Sequence, residues 1–233
     1  GTSTGSIAHP YYQTKNTLPI TVTPAKLAWN TKSQSLAVGQ YQQGCCGSPV
    51  LTNVSAPGAQ AAPLTVTITH SHPSYVTTPA SVTIATGSSS ALVSTVGAAL
   101  GRDTIIASAP DIAPDTMIVD VGVGKFEVYA GDSWPSSIRV GETSPIGASL
   151  LLLTPNGGRE QVKAAVAFSV TLTPGATFIF VDGAGNEITS VTVPAGSTQS
   201  SHFYMKGIAP GTSTGMVSHP NYQTTNTLPV VVN

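Results

Sequence analysis

Charge is what this sequence has least of. Asp, Glu, Lys and Arg together make up 8% of its 233 residues, and the formal net charge is −1. Ordinary soluble domains carry about 25% charged residues. With so few cations there is no electrostatic footprint for nucleic acid and no polybasic patch for anionic lipid. Long apolar runs are missing as well. The longest aliphatic stretch, Ala148 to Leu153, falls far below the roughly 18 residues a membrane-spanning helix needs, so no membrane insertion is expected. Aromatic residues are 6% and cysteines number two, adjacent at Cys45 and Cys46. Neighbouring cysteines cannot staple distant strands, so they say little about redox compartment. No signal peptide heads the chain, and Gly1-Thr2-Ser3 reads as a cut inside a longer protein.

What remains is 40% hydrophobic, enough for a core, within a polar background of Ser, Thr, Gly, Pro, Asn and Gln. Hydroxyl and amide side chains suit strands and turns better than helices. Short segments of period two recur, such as Thr65-Val66-Thr67-Ile68 and Val191-Thr192-Val193. Turn signals separate them at Asn156-Gly157-Gly158, Pro174-Gly175 and Asp182-Gly183-Ala184-Gly185. Pro19 and Pro229 fit edge strands, where a missing N–H is harmless. The best helix candidate, Arg159 to Phe168, runs on into Ser169-Val170-Thr171-Leu172, which favours a strand.

The chain repeats itself. Residues 1–23 and 211–233 are identical at 15 of 23 positions without a gap, and a weaker copy begins at Gly101. Other pieces correspond in step: Lys26–Trp29 with Lys125–Val128, Ser35–Gly39 with Ser137–Gly141, Leu64–Thr69 with Phe168–Thr173, and Ser81–Ser88 with Ser190–Ser197. The offsets rise from 99 (125 − 26) to 110 (211 − 101), so one unit is about the size of an immunoglobulin-type sandwich. The expected fold class is therefore all-β, with tandem Ig-like antiparallel β-sandwiches at 25–123 and 124–233. Residues 1–24 are expected to be the terminal strands of a preceding Ig-like repeat. The close match of the two ends suggests alternating unit types with a longer period of 210 residues (211 − 1).

The run from Ser81, SVTIATGSSSALVSTVGAALGRDTIIASAP, and its partner from Ser190, SVTVPAGSTQSSHFYMKGIAPGTSTGMVSHP, resemble bacterial Ig-like repeats. In that superfamily a Val-Thr-Val-Pro-Ala-Gly strand leads to a Gly-Thr strand and a closing Val-rich strand. Such repeats occur in tandem on bacterial surface proteins, adhesins and S-layer-like proteins, and as spacers in secreted enzymes. The resemblance implies an extracellular or bacterial cell-surface structural or adhesive segment: a spacer, stalk or filament component. Its partners would be neighbouring Ig-like repeats of the same or adjacent chains, with a surface glycan or protein as a further candidate. The alternative is a glycan- or receptor-binding accessory module of a secreted enzyme or phage tail.

Individual residues offer little chemistry. Gly1-Thr2-Ser3-Thr4-Gly5 and Gly211–Gly215 match G-x-S-x-G, but a nucleophile elbow sits between strand and helix, and here a β-alternating segment follows. The copy at Gly101 carries Asp103 in place of the serine. No catalytic residue is assigned, and an enzyme is not expected. His9 and His219 occupy equivalent positions too far apart for one site, whereas His70-Ser71-His72 places two imidazoles on one strand face. Two ligands alone make a weak metal site, so no metal and no cofactor is assigned. Asp111, Asp115 and Asp120 are dispersed, and Asp182–Glu187 reads as a turn without the alternating acids of an EF-hand loop. Three states are open to Cys45 and Cys46: a vicinal disulfide stiffening a Gly-flanked loop, two free thiols, or an intermolecular bridge. Trp29, Trp134, Tyr11, Tyr12 and Tyr41 read as packing residues, and Asn53-Val54-Ser55 is a formal glycosylation sequon.

Overall fold

The computed structural model describes residues 2–5, 11, 18–21, 25–42, 52–130, 137–158 and 162–233. Every regular element in these residues is a strand. A hairpin comes first, β1 (Thr2–Gly5) and β2 (Leu18–Thr21). Eleven strands follow: β3 (Ala28–Trp29), β4 (Ser33–Ala37), β5 (Gln40–Gln42), β6 (Asn53–Ser55), β7 (Leu64–His70), β8 (Val76–Thr77), β9 (Ser81–Ile84), β10 (Ser90–Leu92), β11 (Val96–Gly97), β12 (Gly101–Ala109) and β13 (Ile112–Gly122). The last ten are β14 (Gly124–Tyr129), β15 (Ser149–Leu153), β16 (Val162–Ala164), β17 (Phe168–Thr173), β18 (Phe178–Val181), β19 (Ser190–Val193), β20 (Tyr204–Gly207), β21 (Gly211–Ser218), β22 (Tyr222–Thr224) and β23 (Leu228–Val232).

Two hydrophobic cores result. The first gathers Leu27, Trp29, Val66, Ile68, Ile105, Met117 and Val119 among others, between the sheet β4-β13-β12-β7-β9 and the strands β3, β6, β8, β10 and β11. The second gathers Phe126, Leu150, Leu172, Phe178, Phe180, Phe203 and Val230. Both are Ig-like β-sandwiches, and in both the β-branched alternation of the sequence becomes alternation of burial. In β7, Val66 and Ile68 face inward while Thr65, Thr67 and Thr69 face out. The ladders between named strands are antiparallel except that β4 lies parallel to β13 and β14 lies parallel to β22; the isolated bridge of Ile138 to Val232 is parallel as well.

The pieces that correspond in sequence also pair alike. In β1–β2, Thr2 faces Thr21 and Gly5 faces Leu18; in β21–β23, Thr212 faces Val231 and Gly215 faces Leu228, each position 210 further on (212 − 2, 231 − 21). Leu64 faces Ile84 as Phe168 faces Val193, and Leu36 faces Val121 as Ile138 faces Val232. The β12–β13 hairpin turns at Pro110-Asp111. Asp111, at φ 59°, is the one non-glycine residue with positive φ among those described, as a type II-like turn demands at its third position. Arg159–Phe168 holds no helix among its described residues; β16 and the start of β17 occupy it.

Candidate functional site

The seam between the two cores is the most elaborate construction in the molecule. β13 ends at Gly122 and β14 begins at Gly124, so only Val123 intervenes. Both glycines are required by close approach. A Cβ on Gly122 would strike Pro155, and one on Gly124 would strike the Tyr222 ring and Ala37. Ala37, at the end of β4, is itself part of the second core.

Strand β5 is the hinge point of this packing. On one edge Tyr41 pairs with Val96 of β11. On the other it receives β16, which belongs to the second core, with Gln40, Tyr41 and Gln42 opposite Ala164, Lys163 and Val162. Ala165 N extends the ladder by donating to Gly39 O at 2.7 Å. A sheet thus runs continuously from β8 through β11 and β5 to β16. Gln40 is fully buried, and its side chain accepts from Ala37 N at 3.0 Å and donates to Leu153 O at 3.0 Å. Beside it Gln34 Nε2 donates to Gln42 Oε1 at 2.8 Å, and Thr95 Oγ1 donates to Gln34 Oε1 at 2.7 Å. Buried amides satisfied in this way specify one arrangement, because any slip leaves them unpaired. From the far side the Tyr222 hydroxyl donates to Val38 O at 3.2 Å, while its ring stacks on Phe126 at 4.6 Å and Phe168 at 5.4 Å. Burial pushes the Tyr222 phenol well above its ordinary value, so it remains a donor.

A polar cleft of about 550 Å³ opens along this seam, lined by Thr31, Ser33, Gln34, Asp120, Thr154 and Asn156 among others. Asp120 is held from one side by exposed Arg102, Nε at 2.6 Å and Nη2 at 3.1 Å.

The residues singled out by motif fall elsewhere. Asp103 and Ser213 do the same work in the two cores: each caps the loop that follows the neighbouring strand. Asp103, with no exposed surface, accepts from the His72 amide at 2.9 Å and Ser71 Oγ at 3.0 Å, and lies 2.6 Å from His70 Nδ1. His70 Nε2 meets Thr78 Oγ1 at 2.7 Å. Burial pushes the Asp103 carboxyl up, but the bonds from His70, His72 and Ser71 outweigh it and hold the group below its ordinary value. Ser213 Oγ accepts from Thr177 N at 3.1 Å and lies 2.6 Å from Thr177 Oγ1. Both sit in strands paired on two sides, not on a strained elbow.

His70 and His72 do not converge. Both nitrogens of His70 are engaged, and His72 stacks on Tyr75 with centroids 5.7 Å apart. No cluster of three or more His, Cys, Asp or Glu suited to a metal occurs among the described residues. Asp115 closes the other end of the first core. It accepts from Trp29 N at 2.8 Å and pairs with Lys32 and with Lys26, the latter at 3.5 Å. Asp182 closes an exposed turn through Ala184 N and Asn186 N, both at 2.9 Å. Trp29 is a core residue, Tyr11 is exposed, and Asn53 lies in the middle strand of β10-β6-β3. Cys45, Cys46, His9, Tyr12 and Trp134 lie outside the described residues. Gln34, Gln40, Gln42 and Tyr222, which build the seam, carry no motif; their one signal is polar residues at positions where strand alternation asks for apolar ones.

No protein-family model matches the chain, and no curated protein matches it. Solved structures of similar outline include domains 5–6 of the S-layer protein SbsC, at 15% identity and a TM-score of 0.36, covering 89% of this chain and 96% of that one. The Yersinia pseudotuberculosis adhesin InvE is similar at 9% identity and a TM-score of 0.37, over 90% of this chain and 59% of that one. The D0-D1 domain of intimin follows at 11% and 0.30, over 88% and 94%. The chain spans about a third (33%) of the longer SbsC fragment, domains 4–9. No helix among the described residues is long and apolar enough to cross a membrane.

Proposed function

We propose that this chain is a structural or adhesive segment of a repetitive extracellular, cell-surface protein, serving as a spacer, stalk or filament component. In this reading residues 25–123 and 124–233 are two Ig-like units, and 1–24 contributes the closing strands of a unit before them. The observation that carries it is the seam. A tether between independent modules needs only a few flexible residues. Here a shared sheet, a buried glutamine network and a tyrosine hydroxyl lock one core to the next. That construction suits a part whose task is to transmit length and force rather than to turn over a substrate. The equal pairing of corresponding strands supports the repeat, and the scarcity of charge agrees with an array of self-similar units. Small-angle scattering tests the reading: a single rigid, extended particle is expected, and a compact folded-over pair or a broad spread of inter-unit distances would sink it.

The polar cleft favours a second reading, a glycan-binding accessory module. Thr31, Ser33, Ser35 and Asn156 carry hydroxyl and amide groups toward a space large enough for a short saccharide. Retention on polysaccharide columns, lost on Asn156→Ala with Ser33→Ala, separates it from the first.

A further inference from the structure

The strand edge that β16 covers in the first core has a counterpart in the second that no strand covers among the described residues. The correspondence of Ser35–Gly39 with Ser137–Gly141 continues into Gln40-Tyr41-Gln42 and Glu142-Thr143-Ser144. Hydrogen bonds confirm the alignment: Gly39 N donates to Gly97 O at 2.8 Å, and Gly141 N to Gly207 O at 2.8 Å. On the inner side Thr143 bridges Lys206, Glu142 O accepts from Gly207 N at 3.0 Å, and Ser144 N donates to Met205 O at 2.8 Å. Backbone groups alternate sides along a strand, so the N–H and C=O of Thr143 point outward. Among the described residues nothing meets them, nor Gly141 O. Their equivalents in the first core are engaged: Gly39 O accepts Ala165 N, and Tyr41 stands opposite Lys163.

The covering segment has a counterpart too. The 104-residue offset of Leu64 and Phe168 puts Ala59, Gln60 and Ala61 in the places of Lys163, Ala164 and Ala165. Gln60 N donates to Ser88 O and Gly87 N to Gln60 O, as Ala164 N donates to Ser197 O and Gly196 N to Ala164 O. Ala59 and Ala61 are exposed. Among the described residues no partner meets the Ala59 backbone or the Ala61 N–H. One end of the chain therefore offers two donors and an acceptor where the other offers two acceptors and a donor.

We propose that the Gly141–Thr143 edge is a docking site for the Ala59–Ala61 strand of a second copy of this chain. The contact repeats head to tail the pairing already present between β5 and β16, which makes it heterologous and open-ended. The small side chains of Ala59 and Ala61 allow close approach to that edge. The ladder ends at Gly58, whose φ of 102° leaves the strand region, so it is shorter than that of β16. The proposal rests on the stacked-unit reading above and adds the surfaces that join one copy to the next.

Proline substitution tests it, because the N–H groups of Thr143 and Ala59 that it removes meet no acceptor among the described residues. At about millimolar chain, the regime of linked modules, sedimentation of the wild type is expected to show concentration-dependent association. Thr143→Pro and Ala59→Pro should each weaken it at least tenfold. An equimolar mixture of the two variants should form dimers and nothing larger, since one keeps a working head and the other a working tail. A photo-crosslinking residue at position 143 should capture residues 57–61 of another copy. A wild type that stays monomeric and yields no such crosslink, or association indifferent to both prolines, overturns the proposal. Either result leaves the spacer reading intact, because that is judged on the scattering of the monomer.

Discussion

Asp103 and Ser213 hold the same place in two similar hairpins, and the molecule uses them differently. In the first core a buried carboxylate gathers His70, Ser71 and the His72 amide around it. In the second a hydroxyl gathers only Thr177, and Gly175 packs so tightly on Ser213 that a Cβ there would collide with it. The serine of the G-x-S-x-G pattern at Gly211–Gly215, which reads as a catalytic signature, is therefore a loop cap, as is Asp103 at the equivalent place in the first core. The residue at its centre is chosen by the size and donors of the loop it holds. The wider loop needs a longer, charged acceptor; the tight Pro174-Gly175 turn has space for a hydroxyl alone.

The sharpest way to break this comparison is Asp103→Ala. It removes a fully buried carboxylate that accepts from the Ser71 hydroxyl and the His72 amide and lies against His70 Nδ1. A loss of about 3 kcal/mol is expected in the unfolding of the first core, with the second core's transition little moved. Chemical denaturation followed by tryptophan fluorescence from Trp29 would register it.

Acid should separate the two cores next. Asp103 and Asp115 both have carboxyls held below the ordinary range: burial raises each, and hydrogen bonds from His70 and its loop, or from Lys32 and Trp29, more than offset it. A depressed carboxyl contributes stability that is complete above its unfolded pKa, about 4, and that drains away as pH falls through the folded value. The first core is thus expected to hold until about pH 4 and then weaken as each of the two groups takes up a proton. The second core should feel acid earlier. Burial against Phe126, Phe168 and Tyr222 lowers the His219 imidazole, and its Nδ1 accepts Asn221 N at 3.2 Å. Its neutral form stabilises the fold above about pH 6.5, and that contribution declines below. Thermal melts from pH 7 to 3 would test the order; a first core that loosens before the second would contradict it.

Much of this architecture could be read in the sequence. Strand alternation, turn residues and the internal repeat foretold an all-β chain, and the substitution of Ser by Asp at position 103 was visible in the alignment of the copies. The bond from Asp103 to His70 was not, because it spans 33 residues and depends on the β7–β12 register. The seam was less legible still. β5 and β16 have three residues each, too few for a periodic signal, and their pairing joins residues that contribute to different cores. Tyr222 and Val38 are 184 positions apart, and nothing local tells a turn tyrosine that its hydroxyl will cap a backbone carbonyl there.

Ser213→Ala should cost the second core about 1 kcal/mol, since a half-buried hydroxyl and its bond from the Thr177 amide are lost. The contrast with Asp103→Ala measures what the buried charge adds.

The smallest effect expected is none at all, and it bears on chemistry. A serine becomes nucleophilic when an imidazole takes its proton and nearby donors stabilise the oxyanion. Ser213 Oγ instead accepts the Thr177 amide and shares a proton with the Thr177 hydroxyl, neither of which is a base at neutral pH. The imidazole that does sit in a carboxylate–histidine–hydroxyl chain, His70, faces Thr78, whose hydroxyl is turned to the Pro79 carbonyl at 3.1 Å. That chain belongs to a loop cap and opens on none of the clefts described above. Incubation with a fluorophosphonate probe is expected to leave Ser213 and Thr78 unlabelled, in the wild type and in Asp103→Ala alike. Stoichiometric labelling of either hydroxyl, abolished by His70→Gln, would turn the cap into a catalytic device and reverse the comparison on which these expectations stand.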